Sequence, residues 1–160
     1  MTSRIHLTGP NPVWIASLML SLLAGCAAPV KPVGHYDDIV DRSVHQIEAK
    51  TTAHIKIILD TKGTGDGSYD HSRRFYADIK GEVQALIVRA ETLEEGLPAT
   101  PLINNLDVLQ LQYDDLAALQ QKPYDESAFI KLQGSFDKSF RTIVKHLIGM
   151  KWDQESPKDK

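Results

Sequence analysis

The chain has 160 residues, with 18 lysines and arginines against 21 aspartates and glutamates, a formal net charge of −3. This length suits one domain with a real core of its own. The acidic balance argues against a nucleic-acid binder, which needs a basic stripe to neutralise phosphates.

The N-terminus comes first in chain order and is the most specific part. Arg4 and His6 form a short polar head, Val13 to Ala24 carry no charge, and Gly25 supplies a small residue before Cys26, the one cysteine. Head, apolar core and small-residue cut are the parts of a secretory signal, and the apolar run falls short of the ~20 residues that span a bilayer.

Leu23-Ala24-Gly25-Cys26 resembles a bacterial lipobox, and residues 1–26 as a whole resemble a lipoprotein signal. The resemblance implies a diacylglyceryl thioether on Cys26, cleavage between Gly25 and Cys26, and acylation of the new amino group. No other cofactor is expected from the residues. Removing residues 1–25 leaves 135 residues with a net charge of −4. With the Cys26 thiol taken by lipid, the exported domain has no disulfide, and zinc fingers, CxxC redox chemistry and c-type haem attachment are excluded. Ala27 stands where an aspartate would matter. In a diderm resembling enterobacteria this implies delivery to the periplasmic face of the outer membrane.

Residues 26–35 read as the lipidated N-terminus and a tether, AAPVKPVGH, broken by Pro29, Pro32 and Gly34. At ~3.1 Å per extended residue it reaches about 30 Å, which keeps the domain near the membrane.

Four helical patterns follow over residues 36–152. Tyr36, Val40, Val44, Ile47, Thr51, His54 and Ile58 recur at steps of three and four, with Asp37, Asp38 and Asp41 in the opening turns, where carboxylates suit the helix dipole. The β-branched stretch His54 to Leu59 could make a strand, but it continues this stripe and is read as helix. Ile39 and Ile57 share a bearing five turns apart and are expected to widen the core contact. The second pattern is Tyr76, Ile79, Val83, Leu86, Ala90 and Leu93, closing at Gly96-Leu97-Pro98. Thr100-Pro101 reads as cap and first residue of a third helix carrying Leu102, Leu106, Leu109, Tyr113 and Leu116. The fourth starts near Asp125 and carries Phe129, Leu132, Phe136, Phe140, Ile143, Leu147 and Met150, before a polar tail over residues 153–160. Gly81 and Gly134 fall inside helices at about 1 kcal/mol each against alanine, read as tolerated weaknesses. The fold class is therefore all-α, an up-down-up-down four-helix bundle behind a cleaved signal and a short tether.

Catalytic chemistry finds no motif. The loop Asp60 to Asp70 fits neither a phosphate loop nor a calcium loop and is expected to be a flexible connection. His45-x-x-Glu48 reverses the order of a di-metal bundle motif and leaves the core stripe, while His54 sits on the stripe without an inward carboxylate. No metal site is assigned. Met150 and His146 share one helix, which speaks against haem held across the bundle, and no Gly-x-Ser-x-Gly elbow occurs. Adjacent pairs such as Asp114-Asp115 diverge by about 100° on a helix and read as solvated surface. No catalytic residue is named.

Charge is more informative. The third helix carries Asp107, Asp114 and Asp115 with no base before Lys122; the fourth carries Lys131, Lys138, Arg141, Lys145 and Lys151. These neighbours could pair with each other at the surface, or Lys131, Lys138, Arg141 and Lys145 could present a docking strip to an envelope protein. Lys151 and Trp152 share the end of the bundle from which the tether leaves, and Trp with Lys suits a membrane interface. Asp37, Asp38 and Asp41 at the same end oppose anionic headgroups. The expectation is a non-enzymatic binding or assembly module, with an escort role for an outer-membrane component suggested by class analogy alone. The alternative is a small-ligand binder with a pocket inside the bundle, against which Tyr76, Phe129, Phe136 and Phe140 point to a filled core.

Overall fold

A computed structural model describes residues 35–93 and 101–156. Four helices fill this part: α1 (Asp38–Thr61), α2 (Tyr69–Leu93), α3 (Pro101–Gln120) and α4 (Glu126–Glu155). Among the described residues there is no strand. Each helix packs on its sequence neighbours, and α4 closes the ring onto α1. This is the up-and-down bundle that short connections between amphipathic helices favour. The segments expected to be a signal peptide and a tether before His35, and also Gly96-Leu97-Pro98 and Thr100, lie outside the described residues.

The apolar stripes meet at the centre. Val40, Val44, Ile47, Ile55 and Ile58 of α1 are buried, as are Ile79 and Val83 of α2, Leu106 and Leu116 of α3, and Phe136, Phe140 and Ile143 of α4. The β-branched stretch from His54 is helical, because its stripe is paid for by packing rather than by propensity.

Caps set the helix starts. Asp37 accepts from the Ile39 and Val40 amides at 2.9 Å and begins α1. Asp125 accepts from Ser127 and Ala128 at 3.0 and 3.2 Å and begins α4. Asp37 also receives two bonds from the Arg89 guanidinium, at 3.1 and 2.7 Å, so one carboxylate both caps α1 and ties it to α2.

Three expectations need correction. Asp60 to Asp70 is a built turn, not a loose connection: Lys62 adopts a left-handed cap and a short 3₁₀ turn runs over Gly65–Gly67. From the end of α3, Gln120 donates to the Gly67 carbonyl at 2.8 Å and to Ser72 Oγ at 3.1 Å, and its oxygen accepts from Tyr76. Gly67 is buried so tightly that a Cβ there would collide with Thr61. A Cβ on Gly81 or Gly134 would meet open space, consistent with tolerated weaknesses. Secondly, Ile39 and Ile57 do not widen the core; they are 44% and 45% exposed. The outer seam between α1 and α2 is bridged instead by ion pairs, Lys50–Glu82 at 2.5 Å and Arg89–Asp37 at 2.7 Å, which leave those isoleucines at the lips of grooves. Thirdly, α4 continues to Glu155, so the polar tail begins as its last turn.

One polar contact crosses the core. Thr51 of α1 donates to the Ile47 carbonyl at 2.7 Å, which uses its single hydroxyl proton; the Tyr113 hydroxyl of α3 therefore donates to Thr51 Oγ1. Tyr113 is fully buried and its ring also meets Phe136 of α4 at 5.0 Å and Phe75 of α2 at 6.3 Å. Thr51→Val should cost about 1–3 kcal/mol in urea unfolding, because it strands a buried hydroxyl. Tyr113→Phe should cost less, and adding it to Thr51→Val should recover part of the loss. Equal, additive costs would rule this pairing out.

Candidate functional site

Helix α4 carries the most distinctive surface. Lys138, Arg141, Lys145, Ile148 and Trp152 step by four and three along the side away from Phe140 and Leu147, and all five are exposed. Ile148 is 49% and Trp152 70% exposed. The helix's acids, Glu126, Asp137, Asp153 and Glu155, fall on the flanks of that row. Lys138, Arg141 and Lys145 make no ion pair among the described residues. Of the two readings of these charges, pairing between α3 and α4 is not seen among the described residues: Asp114 turns to the other neighbour and takes Lys80 of α2 at 2.6 Å. The flank of α3 that bears Asp114 faces α2, as the Gln110–Gln84 bond at 2.9 Å also shows.

The row ends beside the start of α1. Gln154 approaches His35 at 3.5 Å, and Lys151 Nζ lies over the Tyr36 ring at 5.5 Å. Tyr36 in turn donates to Asp41 at 2.9 Å, and that bond raises the Tyr36 pKa. Trp152 thus stands exposed at the end of the bundle where α1 begins. The hydrogen bond and charge of Arg89 hold the Asp37 carboxyl below the usual carboxylate range, so Asp37 is an anion committed to α2. Asp38 pairs with Arg42 at 2.7 Å. Two of the three carboxylates expected to repel headgroups therefore already have cationic partners.

Two open grooves flank α1. One, of about 480 Å³, is lined by Ile39, Gln46 and Ala85 and bridged by the Lys50–Glu82 pair. The other, of about 550 Å³, is lined by His54, Ile57, Asp66, His71 and Phe75. His54 stacks on Phe75 with ring centroids 3.8 Å apart, and its buried Nε2 finds no hydrogen-bond partner. Burial lowers its pKa to about 4, so the ring is neutral at pH 7. His45 is exposed between Asp41 and Glu48, at 3.5 Å from each, as a solvated residue should be. Among the described residues no three His, Cys, Asp or Glu side chains converge to hold a metal, and none of the described helices is long and apolar enough to cross a membrane.

Periodicity could not reveal Arg89–Asp37, Lys80–Asp114 or the Gln120 clasp, since each joins residues of different helices. The Asp37 and Asp125 caps had a local signal, an aspartate just before an amphipathic run. Cys26 and Gly25 lie outside the described residues. The chain matches no family model, no curated protein and no solved structure.

The His54 environment has a measurable consequence. Its folded pKa of about 4 lies below the ordinary 6.5, so the unfolded chain binds the extra proton first as pH falls. Stability should be full above about pH 6.5 and decline towards pH 4 by up to about 3 kcal/mol. Asp37 and Asp125, whose carboxyls are held low, lose their contribution only below that window. Urea midpoints from pH 7 to 4 should slope for the native chain and flatten for His54→Leu. An unchanged slope in the variant would assign the effect elsewhere.

Proposed function

We propose that this chain is a lipid-anchored lipoprotein of a bacterial cell envelope that acts as a non-enzymatic docking module through the outer face of α4. The carrying observation is the row Lys138, Arg141 and Lys145, which no carboxylate among the described residues pairs, continuing into exposed Ile148 and Trp152. A surface that only needed solubility would gain nothing from concentrating one sign of charge beside exposed apolar side chains; a partner with complementary charge would. The anchor rests on the lipobox-like Leu23-Ala24-Gly25-Cys26. With a short tether after Cys26, the end bearing Lys151 and Trp152 lies near the bilayer, where a tryptophan and a lysine strengthen an acyl anchor. Ala27 favours the periplasmic face of the outer membrane in a diderm.

The small-ligand reading needs room inside the bundle. Tyr113, Phe129, Phe136 and Phe140 occupy that interior, each no more than 2% exposed, and both large grooves open on the surface. The filled interior supports docking over enclosure.

Two measurements test the two halves. Cys26→Ser should move the protein out of the membrane fraction while its helical circular dichroism stays intact; continued membrane residence without acylation would end the anchor reading. A photo-crosslinking residue at Ile148, which is 49% exposed, should capture one dominant envelope protein in cells, identified by mass spectrometry. The double reversal Lys138→Glu with Arg141→Glu should lower the yield about tenfold, the effect of roughly 1.4 kcal/mol. A yield indifferent to that reversal would remove α4 from the docking surface.

A further inference from the structure

The face shared by α3 and α4 is self-complementary, and we infer that it pairs two copies of this chain side by side in one membrane leaflet. Gln112 of α3 donates to Ser135 of α4 at 2.7 Å, which marks the flank on each helix that faces the other. Residues three and four positions away share a flank. On α3 the flank carries Val108 and Asp115, with Leu111 beside them on the outer side; on α4 it carries Lys131 and Lys138. Val108 and Leu111 are 42% and 64% exposed, while Asp115, Lys131 and Lys138 are exposed and make no ion pair among the described residues. One half of the face is thus acidic and apolar, and the other half is basic.

Symmetry then sets the pairing. A two-fold axis parallel to the helices, placed outside the α3–α4 seam, brings α3 of one copy opposite α4 of the other. It leaves every height along the bundle unchanged. The Gln112–Ser135 bond fixes those heights within a copy, at 1.5 Å per residue along antiparallel helices. Asp115 is therefore level with Leu132, one position from Lys131, and Val108 is level with Ser139, one position from Lys138. Across the axis, Asp115 of each copy meets Lys131 of the other, and the Lys138 stem covers Val108 and Leu111. The contact is isologous and closes at two copies.

The same axis explains why this arrangement suits an anchored chain. Both copies of α1 begin at the same end, so both chains run to Cys26 on one side; this step rests on the anchor reading proposed above. Confinement to one leaflet raises the effective concentration, so a modest face suffices. The inference also names a partner for the α3-side edge of the α4 row, Lys131 and Lys138, and leaves Arg141, Ile148 and Trp152 outside the pair.

The test uses the full-length protein in its own membranes. Two differently tagged copies, one Asp115→Cys and the other Lys131→Cys, are co-expressed and treated with a short thiol crosslinker. A two-tag dimer is expected, falling about fivefold when Arg74→Cys on the outer side of α2 replaces Lys131→Cys. Without crosslinker, Lys131→Glu should abolish two-tag co-purification, and Lys131→Glu with Asp115→Lys should restore it, which a merely misfolded variant would not do. Membranes that retain the protein but yield no two-tag dimer would overturn the inference. So would equal yields with Arg74→Cys, or co-purification unaffected by Lys131→Glu. Crosslinking of the chain carrying only its natural Cys26 would instead reveal a free thiol there, a failure of the anchor reading and not of the pairing.

Discussion

The Tyr113–Thr51 hydrogen bond is the contact on which the interior depends. Tyr113 projects from α3 to the bundle axis, where its hydroxyl reaches α1 across the diagonal and its ring touches aromatic side chains of α2 and α4. A buried hydroxyl is tolerated only with a partner, so this residue fixes how far α3 turns and slides against α1. Purely apolar stripes would permit neighbouring registers at little cost, because dispersion contacts have no direction. One satisfied polar pair in the centre distinguishes them.

The ends of the bundle are held by different means. At the far end Gln120 binds the turn between α1 and α2, with Gly67 pressed against Thr61. At the entry end Asp37 joins its own capping amides to Arg89, and Lys151 covers Tyr36. These contacts consume charges at the start of α1. They leave Lys138, Arg141 and Lys145 of α4 with no ion pair among the described residues, and the proposed function follows from that imbalance. A rigid bundle presents such a row at fixed spacing, which a loop of equal charge would not.

His54 shows how a residue that looks chemical becomes structural. The imidazole is stacked on Phe75, stays neutral near pH 7, and has no cluster of further His, Cys, Asp or Glu around it that could hold a metal among the described residues. Its effect is on stability in mildly acidic conditions. Of the carboxylates that share its groove, Asp60 sits in the last turn of α1, where Lys56 neutralises it at 2.6 Å, and Asp66 in the turn that follows.

Helix number, order and inward faces were legible in the sequence, because a 3.6-residue repeat of apolar side chains carries them directly: every described member of the stripes from Val40 to Ile58, Tyr76 to Ala90, and Leu102 to Leu116 is buried. Asp125 as a cap was legible for the same local reason. The sequence also singled out the basic residues of α4, but it could not say that they stay unpaired, since Asp114 might have met Lys138 as readily as Lys80. Ile39 and Ile57 illustrate the converse: a shared bearing places them on one flank of α1, yet only the seam with α2, closed by ion pairs, leaves that flank in solvent. The turn at Asp60 to Asp70 is built by Gln120 from another helix, and no local pattern records a partner so distant. Local periodicity determined which side of each helix faces in; the mutual rotation of the helices, a property of all four stripes packing at once, decided which charges meet and which face remains free.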